Sequence, residues 1–371
     1  MKQGWEYKKL GDCTQILDSQ RKPVTKKDRT GGIYPYYGAT GIQDYVDKYI
    51  FDGRYVLVGE DGAKWSAFEQ SAFVIEGKSW VNNHAHVLKP HDFLVDTFLI
   101  YFLNYSDLDS YISGAIVRKL TQASLRNIEI PLPPKSTQLA IVSELDKINE
   151  LIRLKKEQLK DFDNLAQSIF YEMFGDPVEN EMGWEVSTYS KCFNIGSGGT
   201  PSKSVPEYWD NGNIPWIGSN MCQNCIITET DGKFITQEGL NNSSTKYLEV
   251  GTVLVALVGA TIGKVALLRT PTCTNQNVAF IKANESKDFV PEYVFYNLMG
   301  QYEEFMKIGK GDFKMANQAF IKALPLLSPP LPLQHLFAHR IEQIEHQKAE
   351  VQKAITDLET LLASRMQYWF E

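Results

Sequence analysis

The 371-residue sequence has few cysteines and no long hydrophobic stretch. Its five cysteines are irregularly spaced, so we expect reduced thiols rather than a disulfide framework. Cys222 and Cys225 have a spacing that zinc sites use, but no second pair of ligands follows, and no metal site is predicted. No apolar run approaches the roughly 18 residues of a membrane span, and the N-terminus shows no apolar signal region. We therefore expect a cytoplasmic protein that does not associate with membranes.

Glycine and proline are absent from two long stretches, 136–174 and 333–371. In each stretch, apolar residues recur at steps of three and four, which is the heptad spacing of a helix that packs along a seam. The predicted interface residues are Ile141, Leu145, Ile148, Ile152, Leu159, Phe162 and Ile169, and then Phe337, Ile341, Ile344, Val351, Ile355, Leu358 and Leu362. At about 1.5 Å per residue, each helix would be about 58 Å long. Helices of this length act as spacers.

The two stretches superpose without a gap at an offset of 196 residues, the difference between Gln138 and Gln334. Each glutamine follows a Pro-Pro pair, which ends the preceding element and tolerates a helix start. An apolar seam of this length does not stay exposed, and the obvious partner of each helix is the other. About 155 residues of chain separate the two stretches, so we predict an antiparallel coiled coil.

The predicted register places each charged residue of the seam on an apolar neighbour. In this register Lys155 faces Ile355, Lys348 faces Phe162 and Arg365 faces Leu145. The aliphatic stem of each cation would pack on its neighbour while the charge reaches water.

The segments before the two helices also repeat each other. The shared features are a Gly-Trp-Glu opening (4–6 and 183–185), an aromatic turn (33–38 and 214–218), a β-rich run (55–59 and 252–256), an Asn-rich run (82–88 and 275–281), a short helical patch (98–103 and 293–298), and a closing triplet (119–121 and 314–316). We predict a duplicated α+β fold. Its globular segments are 1–134 and 176–330, and its spacer helices are 135–175 and 331–371.

Charge is unevenly distributed along the chain, whose net charge is −7. Residues 1–134 carry 16 basic and 16 acidic residues, and the basic residues concentrate at Arg21, Lys22, Lys26, Lys27 and Arg29. Two interpretations of this run stay open, a solvated loop or a loop that contacts phosphates, because local charge sets the field at a groove. The net acidic charge would oppose binding to nucleic acid. One explanation that keeps such binding possible is that other, more basic subunits supply much of the nonspecific affinity.

Motifs that would indicate catalysis are incomplete. Residues 213–216 lack the first proline of an amino-methyltransferase tetrapeptide, and Thr200-Pro201 interrupts the helix that should follow the glycines at 196–199. The segment 259–264 has three residues between its glycines where a phosphate loop needs four, which predicts a strand-turn-strand instead. His84, His86, Glu60 and Asp61 lack the further ligands of a nuclease centre. No catalytic residue is predicted.

The order of globular segment, helix, globular segment and helix resembles the DNA-specificity subunit of type I restriction-modification systems. The resemblance covers all 371 residues. It rests on the Gly-Trp-Glu openings, on Gly199-Thr200-Pro201-Ser202 leading to Tyr208-Trp209 and Ile214-Pro215-Trp216, and on the Pro-Pro and Gln helix starts. The first globular segment departs from the pattern, because it lacks the Gly-Thr-Pro and Tyr-Trp segments.

The resemblance implies two tandem target recognition domains, each reading one half of a split sequence in double-stranded DNA. It also implies that the paired helices set the spacing and dock two methyltransferase subunits, and that restriction or translocase subunits join them. The chain itself would catalyse nothing and bind no cofactor. S-adenosylmethionine, ATP and magnesium would be bound by the partner subunits. The alternative is a coiled-coil binding or structural protein that does not bind DNA.

Candidate DNA-binding residues are amides, cations and hydroxyls that can present hydrogen-bond patterns to base edges, with aromatic residues beside the backbone. In the first globular segment they are Arg21, Lys22, Lys26, Lys27, Tyr36, Tyr37, Lys64, Ser66, Asn82, Asn83 and His84. In the second they are Lys203, Trp216, Ser219, Asn220, Lys264, Asn275 and Gln276. Asn82 and Asn275 are equally typical of turns, and Tyr36 and Trp216 of cores, so these alternatives stay open.

Overall fold

A computed structural model of the protein describes residues 4–114, 116–284, 289–308 and 315–371. The chain divides into two compact units. Unit 1 comprises Met1–Glu157 and Gln352–Glu371, and unit 2 comprises Gln158–Val351. Both boundaries between the units fall inside the long helices. Each globular segment therefore forms one unit with portions of both helices.

Unit 1 is built on a six-stranded sheet. The strands of the whole unit are β1 (Glu6–Lys9), β2 (Thr14–Ile16), β3 (Gly31–Gly38), β4 (Gly41–Val46), β5 (Phe51–Gly59), β6 (Ala72–Val81), β7 (Ala85–Pro90), β8 (Ile112–Ser113), β9 (Lys119–Leu120) and β10 (Glu129–Leu132). Its helices are α1 (Leu10–Cys13), α2 (Asp96–Tyr105), α3 (Gln122–Arg126), the first part of α4 (Lys135–Phe174) and the last part of the C-terminal helix α10 (Leu331–Phe370). The main sheet has the order β2-β7-β5-β6-β3-β4, β1 pairs with β10, and β8 pairs with β9.

Unit 2 carries its strands in two larger sheets. They are β11 (Val186–Thr188), β12 (Phe193–Ser197), β13 (Ile214–Ile217), β14 (Cys225–Ile227), β15 (Phe234–Ile235), β16 (Tyr247–Leu248), β17 (Val253–Ala256), β18 (Val265–Leu268), β19 (Thr272–Thr274), β20 (Val278–Ala283) and β21 (Pro325–Leu327). Its helices are the last part of α4, α5 (Tyr189–Cys192), α6 (Gln237–Asn241), α7 (Pro291–Gly300), α8 (Tyr302–Met306), α9 (Gln318–Ala323) and the first part of α10 (Leu331–Phe370). The sheet orders are β12-β20-β17-β18-β14 and β15-β13-β19-β16, and β11 pairs with β21.

The duplicated α+β fold is confirmed at the level of individual elements. In each unit the strand after the Gly-Trp-Glu opening pairs antiparallel with the strand before the long helix, β1 with β10 and β11 with β21. The predicted helical patches are α2 and α7. The segment 259–264 holds a 3₁₀ turn at Gly259–Thr261 between the antiparallel strands β17 and β18, as predicted. Lys314, in the second closing triplet, lies outside the described residues.

The predicted aromatic turns are strands, β3 and β13. β3 pairs with β6 only through Tyr36 and Tyr37, beyond Pro35, whose nitrogen carries no hydrogen to donate to a ladder. A register shift between Gly31 and Tyr34 interrupts the β3–β4 pairing just before Pro35. The prolines suggested turns, but they lie where a strand can accommodate them.

Each long helix contributes an apolar face to the core of both units. In unit 1, Ile141 and Leu145 are fully buried with Met366 beside them, and Ile148, Ile152 and Ile355 are buried. In unit 2, Phe337, Ile341, Ile344 and Val351 are buried, while Leu159, Phe162 and Ile169 are half-buried. Leu358 and Leu362, in unit 1, are also half-buried. At about 1.5–3 kcal/mol for each fully buried large side chain, these contacts fasten the helices to the units.

Among the described residues, no helix is both long enough and apolar enough to span a bilayer.

Candidate nucleic-acid interface

Arg21 is enclosed in unit 1 although it begins the basic segment 21–29. Its guanidinium lies 2.5 Å from a carboxylate oxygen of Glu60 and 3.3 Å from one of Asp18, and its side chain is only 12% exposed. It also donates a hydrogen bond to the Ala85 carbonyl at 2.8 Å. The prediction that Arg21 contacts phosphates is therefore corrected, because acidic partners inside the unit already bind its charge.

The acids that hold Arg21 belong to a compact charge cluster. His86 is fully buried, and its ring nitrogens lie 2.6 Å from Asp18 Oδ2 and 2.8 Å from the Leu120 carbonyl oxygen. Both ring nitrogens of His86 therefore lie against oxygen atoms of unit 1. Lys119 binds Glu60 at 2.6 Å.

Asp18, Glu60 and His86 are close enough to hold a metal ion in principle. However, the two carboxylates already pair with two cations, Arg21 and Lys119, so a further cation would meet no net negative charge. Burial raises the pKa of both carboxyls, but hydrogen bonds from His86 to Asp18 and from Lys119 and Arg21 to Glu60 outweigh it and lower both pKa values. The cluster is therefore an internal crosslink of unit 1.

The remaining lysines of the basic segment face solvent. Lys22, Lys26 and Lys27 are exposed, and the last two lie on a 3₁₀ turn at Lys26–Asp28. Arg29 instead turns inward, where its guanidinium lies 4.1 Å from the centre of the Tyr36 ring and pairs with Asp44 at 3.1 Å. The three lysines form a cationic edge that is suited to phosphate contact.

Tyr36 and Tyr37 point in different directions. Tyr36 is 1% exposed, and its hydroxyl accepts a hydrogen bond from the Val24 amide at 3.0 Å. Its predicted position beside the sugar-phosphate backbone is corrected to the core. Tyr37 is half-buried against Phe73, with 6.0 Å between ring centres, and burial raises the pKa of its hydroxyl.

The Asn-rich turn of unit 1 divides into an anchor and an exposed residue. Asn82 is 2% exposed, and its side chain accepts from the His84 amide at 2.8 Å and donates to Gln43 at 3.2 Å. Its predicted base contact is corrected to a turn-forming role. Asn83 and His84 are exposed at the tip of the turn, and the His84 ring pairs with Asp61.

Lys64 and Ser66 are both exposed on the walls of an open cleft in unit 1. Lys64 lies 3.1 Å from Glu69 on the same loop. Ile116 and Val117 also line the cleft, with 99% and 64% of their surface exposed. The cleft therefore combines polar groups with unusually exposed aliphatic side chains.

Trp216 in unit 2 belongs to a core. It is 7% exposed, its indole nitrogen donates to the Gly199 carbonyl at 3.0 Å, and its ring packs edge-on against Trp209 at 5.3 Å. Its predicted DNA contact is corrected, because both its ring and its polar atom have partners within unit 2. Lys203, four residues after Gly199, is exposed.

Three predicted residues of unit 2 meet around Gly218. A Cβ atom at Gly218 would lie 2.7 Å from the side-chain oxygen of Asn220 and 3.4 Å from the amide nitrogen of Asn275. The two amides can share this site only because residue 218 has no side chain. Ser219 is half-buried and begins the 3₁₀ turn Ser219–Met221, and Asn220 is exposed.

Lys264 is joined to this polar surface by Gln223, which was not among the predicted residues. Its ammonium donates to Gln223 Oε1 at 2.7 Å, and Gln223 Nε2 donates to the Asn220 carbonyl at 3.1 Å. Asn224 holds the turn with a positive φ of 57°, and its side chain accepts from the Val265 amide at 3.0 Å. Asn tolerates this left-handed backbone, which was the one signal in the sequence for a tight turn here.

The repeated Asn-rich turn of unit 2 has the same division as that of unit 1. Asn275 is half-buried, and its side chain accepts from the Asn277 amide at 3.0 Å, just as Asn82 accepts from His84. Gln276 is exposed, and its Oε1 accepts a hydrogen bond from Thr200 at 2.6 Å. At each turn the first amide is an anchor, and the second is exposed to solvent.

The helix seam of unit 1 is closed by ionic contacts. Glu144 on α4 pairs with Arg365 on α10 and accepts from the Trp369 indole at 3.0 Å. The hydrogen bond from Arg365 is the main cause of a lowered pKa of Glu144. Lys156 and Glu359 are 2.9 Å apart. Arg365 thus binds the residue next to Leu145, the neighbour that the sequence predicted.

The seam of unit 2 follows the same antiparallel register. Lys348 on α10 lies 2.5 Å from Asp163 on α4, next to the predicted neighbour Phe162. The Phe337 ring packs against Phe170 and Phe174 at 5.6 and 5.4 Å between centres. The contacts of Lys348 with Asp163 and of Arg365 with Glu144 each lie within one residue of the predicted register. The prediction that the charges of Lys348 and Arg365 reach water is corrected, because the two side chains form ion pairs with carboxylates of the other helix.

Sequence comparison identifies the class to which these features belong. Residues 2–161 and 181–360 match the type I restriction modification DNA specificity domain. The chain belongs to this family, whose description is one of DNA sequence specificity. Specificity subunits of type I systems are non-catalytic, and partner subunits carry out catalysis.

Individual relatives agree with the family assignment. A putative type I restriction enzyme specificity subunit of Haemophilus influenzae is 40% identical over 146 residues, which are 39% of this chain and 38% of the relative. The EcoR124I/EcoR124II specificity subunit of Escherichia coli is 25% identical over 52% of this chain and 48% of its own length. These two matches thus span less than half of each relative. The MjaIX specificity subunit of Methanocaldococcus jannaschii is 20% identical over 96% of this chain and 90% of its own length.

Solved structures support the fold. The S subunit of a type I restriction-modification system from M. genitalium has a TM-score of 0.57 at 14% identity and covers 100% of this chain and 98% of its own. A second chain, from a study of the assembly and conformational transition of the type I system, has a TM-score of 0.61 at 17% identity, with the same coverage.

Proposed function

We propose that this protein is the specificity subunit of a type I restriction-modification enzyme and reads a bipartite target in double-stranded DNA. Each unit supplies one reading surface, and the paired helices set the distance between the half-sites and dock two methyltransferase subunits. Restriction or translocase subunits complete the enzyme. The partner subunits bind S-adenosylmethionine, ATP and magnesium, and this chain binds none of them.

The repeated exposed amide is the observation that carries this proposal. Asn83 and Gln276 occupy equivalent turns, and each follows an asparagine whose side chain is used within the turn. Asn and Gln side chains pair in bidentate fashion with adenine in the major groove. In unit 2, Lys264 and Gln223 lie within the same polar network, so cations and amides are presented together.

Mapping methylated adenines in a genome that carries this system tests the proposal directly. The expected result is one split sequence with a constant gap. Its half-sites should be centred about one helical turn, roughly 34 Å, apart. A continuous recognition sequence would contradict the bipartite assignment. An absence of methylation that depends on this chain would instead favour a coiled-coil protein that does not bind DNA.

Exchange of residues 176–330 for the corresponding segment of another family member tests the division of labour. Because unit 2 has its own core and its own polar surface, the exchange should change one half-site only. A simultaneous change of both half-sites would show that the two reading surfaces are not independent.

A further inference from the structure

Each long helix is fixed to its globular segment by a buried glutamine in its first turns. Gln138 is fully buried, accepts from the Val95 amide at 2.8 Å, and donates to the carbonyls of Phe93 and Pro133 at 2.9 Å each. Gln334 is 1% exposed, accepts from Val290 at 3.0 Å and donates to Pro329 at 2.9 Å.

The backbone amides that these glutamines bind lie at equivalent places. Val95 is the residue before α2, Val290 is the residue before α7, and neither helix start has a side-chain cap of its own. Each glutamine thus joins the start of a long helix to the start of a globular helix in the same unit.

A second polar contact lies farther along each long helix. In unit 1 the Tyr101 hydroxyl, on α2, donates to Asp146 at 2.6 Å and accepts from Asn149 at 2.9 Å. Burial, followed by the hydrogen bond to Asp146, raises the pKa of Tyr101.

In unit 2 the second contact is ionic. Arg269 places two nitrogens 3.0 and 2.6 Å from the Glu345 carboxylate, on α10, and a third 2.7 Å from Glu292, on α7. Burial lowers the pKa of Arg269, but the two carboxylates outweigh it and the pKa lies above its ordinary value. The three side chains are only 12–25% exposed, so solvent screens this bidentate contact less than a surface ion pair.

The two contacts on each helix lie on the same face of that helix. Asn149 follows Gln138 by 11 residues, and Glu345 follows Gln334 by 11 residues. Eleven residues are about three turns and about 16 Å along an α-helix, so both side chains face the globular segment. Apolar packing already holds each helix against its unit, and two polar contacts at this separation define its direction more narrowly than one contact does.

We propose that Glu345 with Arg269, and Asn149 and Asp146 with Tyr101, are positioning residues that set how strictly the enzyme measures the gap between half-sites. This inference rests on the proposed function. The glutamine fixes where each helix starts, and the second anchor fixes its angle. A tilt of about 5° displaces the far end of a 40-residue helix by about 5 Å, which exceeds the rise of about 3.4 Å per base pair.

The test uses the full chain assembled with its methyltransferase partners, and duplexes whose half-sites are separated by the mapped gap or by one base pair more or fewer. Glu345→Ala removes the second anchor of α10, keeps helix propensity, and leaves Arg269 paired with Glu292. Glu350→Ala changes an exposed glutamate of the same helix and is the matched control.

The expected result is a rise of about tenfold in the methylation rate on the altered gaps relative to the mapped gap for Glu345→Ala. The half-site sequences should stay unchanged, and Glu350→Ala should keep the wild-type ratio. An equal loss of rate on all three gaps, or an unchanged ratio, would overturn the positioning role. A wild-type enzyme that methylates no split target would instead refute the proposed function.

Tyr101→Phe supplies an independent test in unit 1, which decides the question if Glu345→Ala fails to assemble. It removes the one hydroxyl that links α2 to Asp146 and Asn149 and preserves the ring. Tyr49→Phe, at an exposed tyrosine, is its control. The same change of ratio is expected for Tyr101→Phe alone, and an unchanged ratio would refute the second anchor of α4.

Discussion

The Lys348 ammonium on α10 lies 2.5 Å from the Asp163 carboxylate on α4, beside the apolar seam of unit 2. Each half of the seam is thus specified by apolar packing and by charge pairs beside it. Because α4 and α10 repeat each other in sequence, a second copy of α4 can present apolar side chains where α10 presents them in the full chain.

A fragment of residues 1–175 should therefore form a two-fold dimer. Residues 170 and 174 stand at the repeat positions of Met366 and Phe370, 196 residues earlier, and Phe370 packs on Phe98, Phe102 and Tyr105 in unit 1. A second copy can thus supply aromatic side chains to the same surface through a self-complementary interface. Sedimentation at tens of micromolar should show the dimer.

Ile148→Asp with Phe162→Asp should abolish that dimer, because each charge would be buried in the seam without a partner. With methyltransferase partners, the unsubstituted dimer should methylate a palindrome of the first half-site. Sedimentation of the unsubstituted fragment as a monomer would contradict the proposed pairing.

Gln276→Ala should relax the target at one base pair of one half-site. The exposed amide accepts a hydrogen bond from Thr200, and we expect it to read a base edge, where a bidentate contact gives about 1–3 kcal/mol of discrimination. The mapped methylation sequence should become degenerate at that position, while the other half-site is retained. Gln237→Ala, at an exposed glutamine on α6, is the control. Loss of methylation without degeneracy would argue against base reading.

The long helices and the duplication could be predicted from the sequence because their signals are periodic. A seam that recurs over 39 residues and again 196 residues later leaves one register, and Lys348 and Arg365 lie within one residue of it. Their carboxylate partners were missed because a heptad pattern specifies which face is apolar, not where a long polar side chain ends.

The reading surfaces could be predicted only in part, because exposure depends on contacts far apart in sequence. Asn82 and Asn83 are adjacent and chemically identical, yet Asn82 is buried against Gln43, 39 residues away. Trp216 is buried because its indole meets Gly199. The link between Arg269 and Glu345 spans 76 residues with no periodic signal.

Lys26→Ala with Lys27→Ala should weaken DNA binding equally on specific and nonspecific sequences. Both lysines are exposed on a turn and carry no base-reading geometry, so they should act through phosphates. Each lost phosphate contact lowers the slope of log affinity against log salt by about 0.9, so the pair should lower it by about 2. Affinity titrations of the assembled complex at several salt concentrations measure this slope, with Lys9→Ala as the control. An unchanged slope would place the basic segment away from DNA.

Asp18→Asn should destabilise unit 1 by about 3 kcal/mol near pH 7, because the buried carboxylate that pairs with Arg21 and hydrogen-bonds to His86 would be lost. The folded-state pKa values of Asp18 and Glu60 are lowered, so their contribution is fully present above the ordinary carboxyl pKa of about 4 and is lost as pH falls through the lowered values. Urea unfolding should show wild-type stability falling with pH below about 5, and a smaller fall for Asp18→Asn. Glu76→Gln, at a glutamate whose side chain is 72% exposed, should keep the wild-type profile. Parallel pH profiles for wild type and Asp18→Asn would show that the cluster does not stabilise the unit through ionisation.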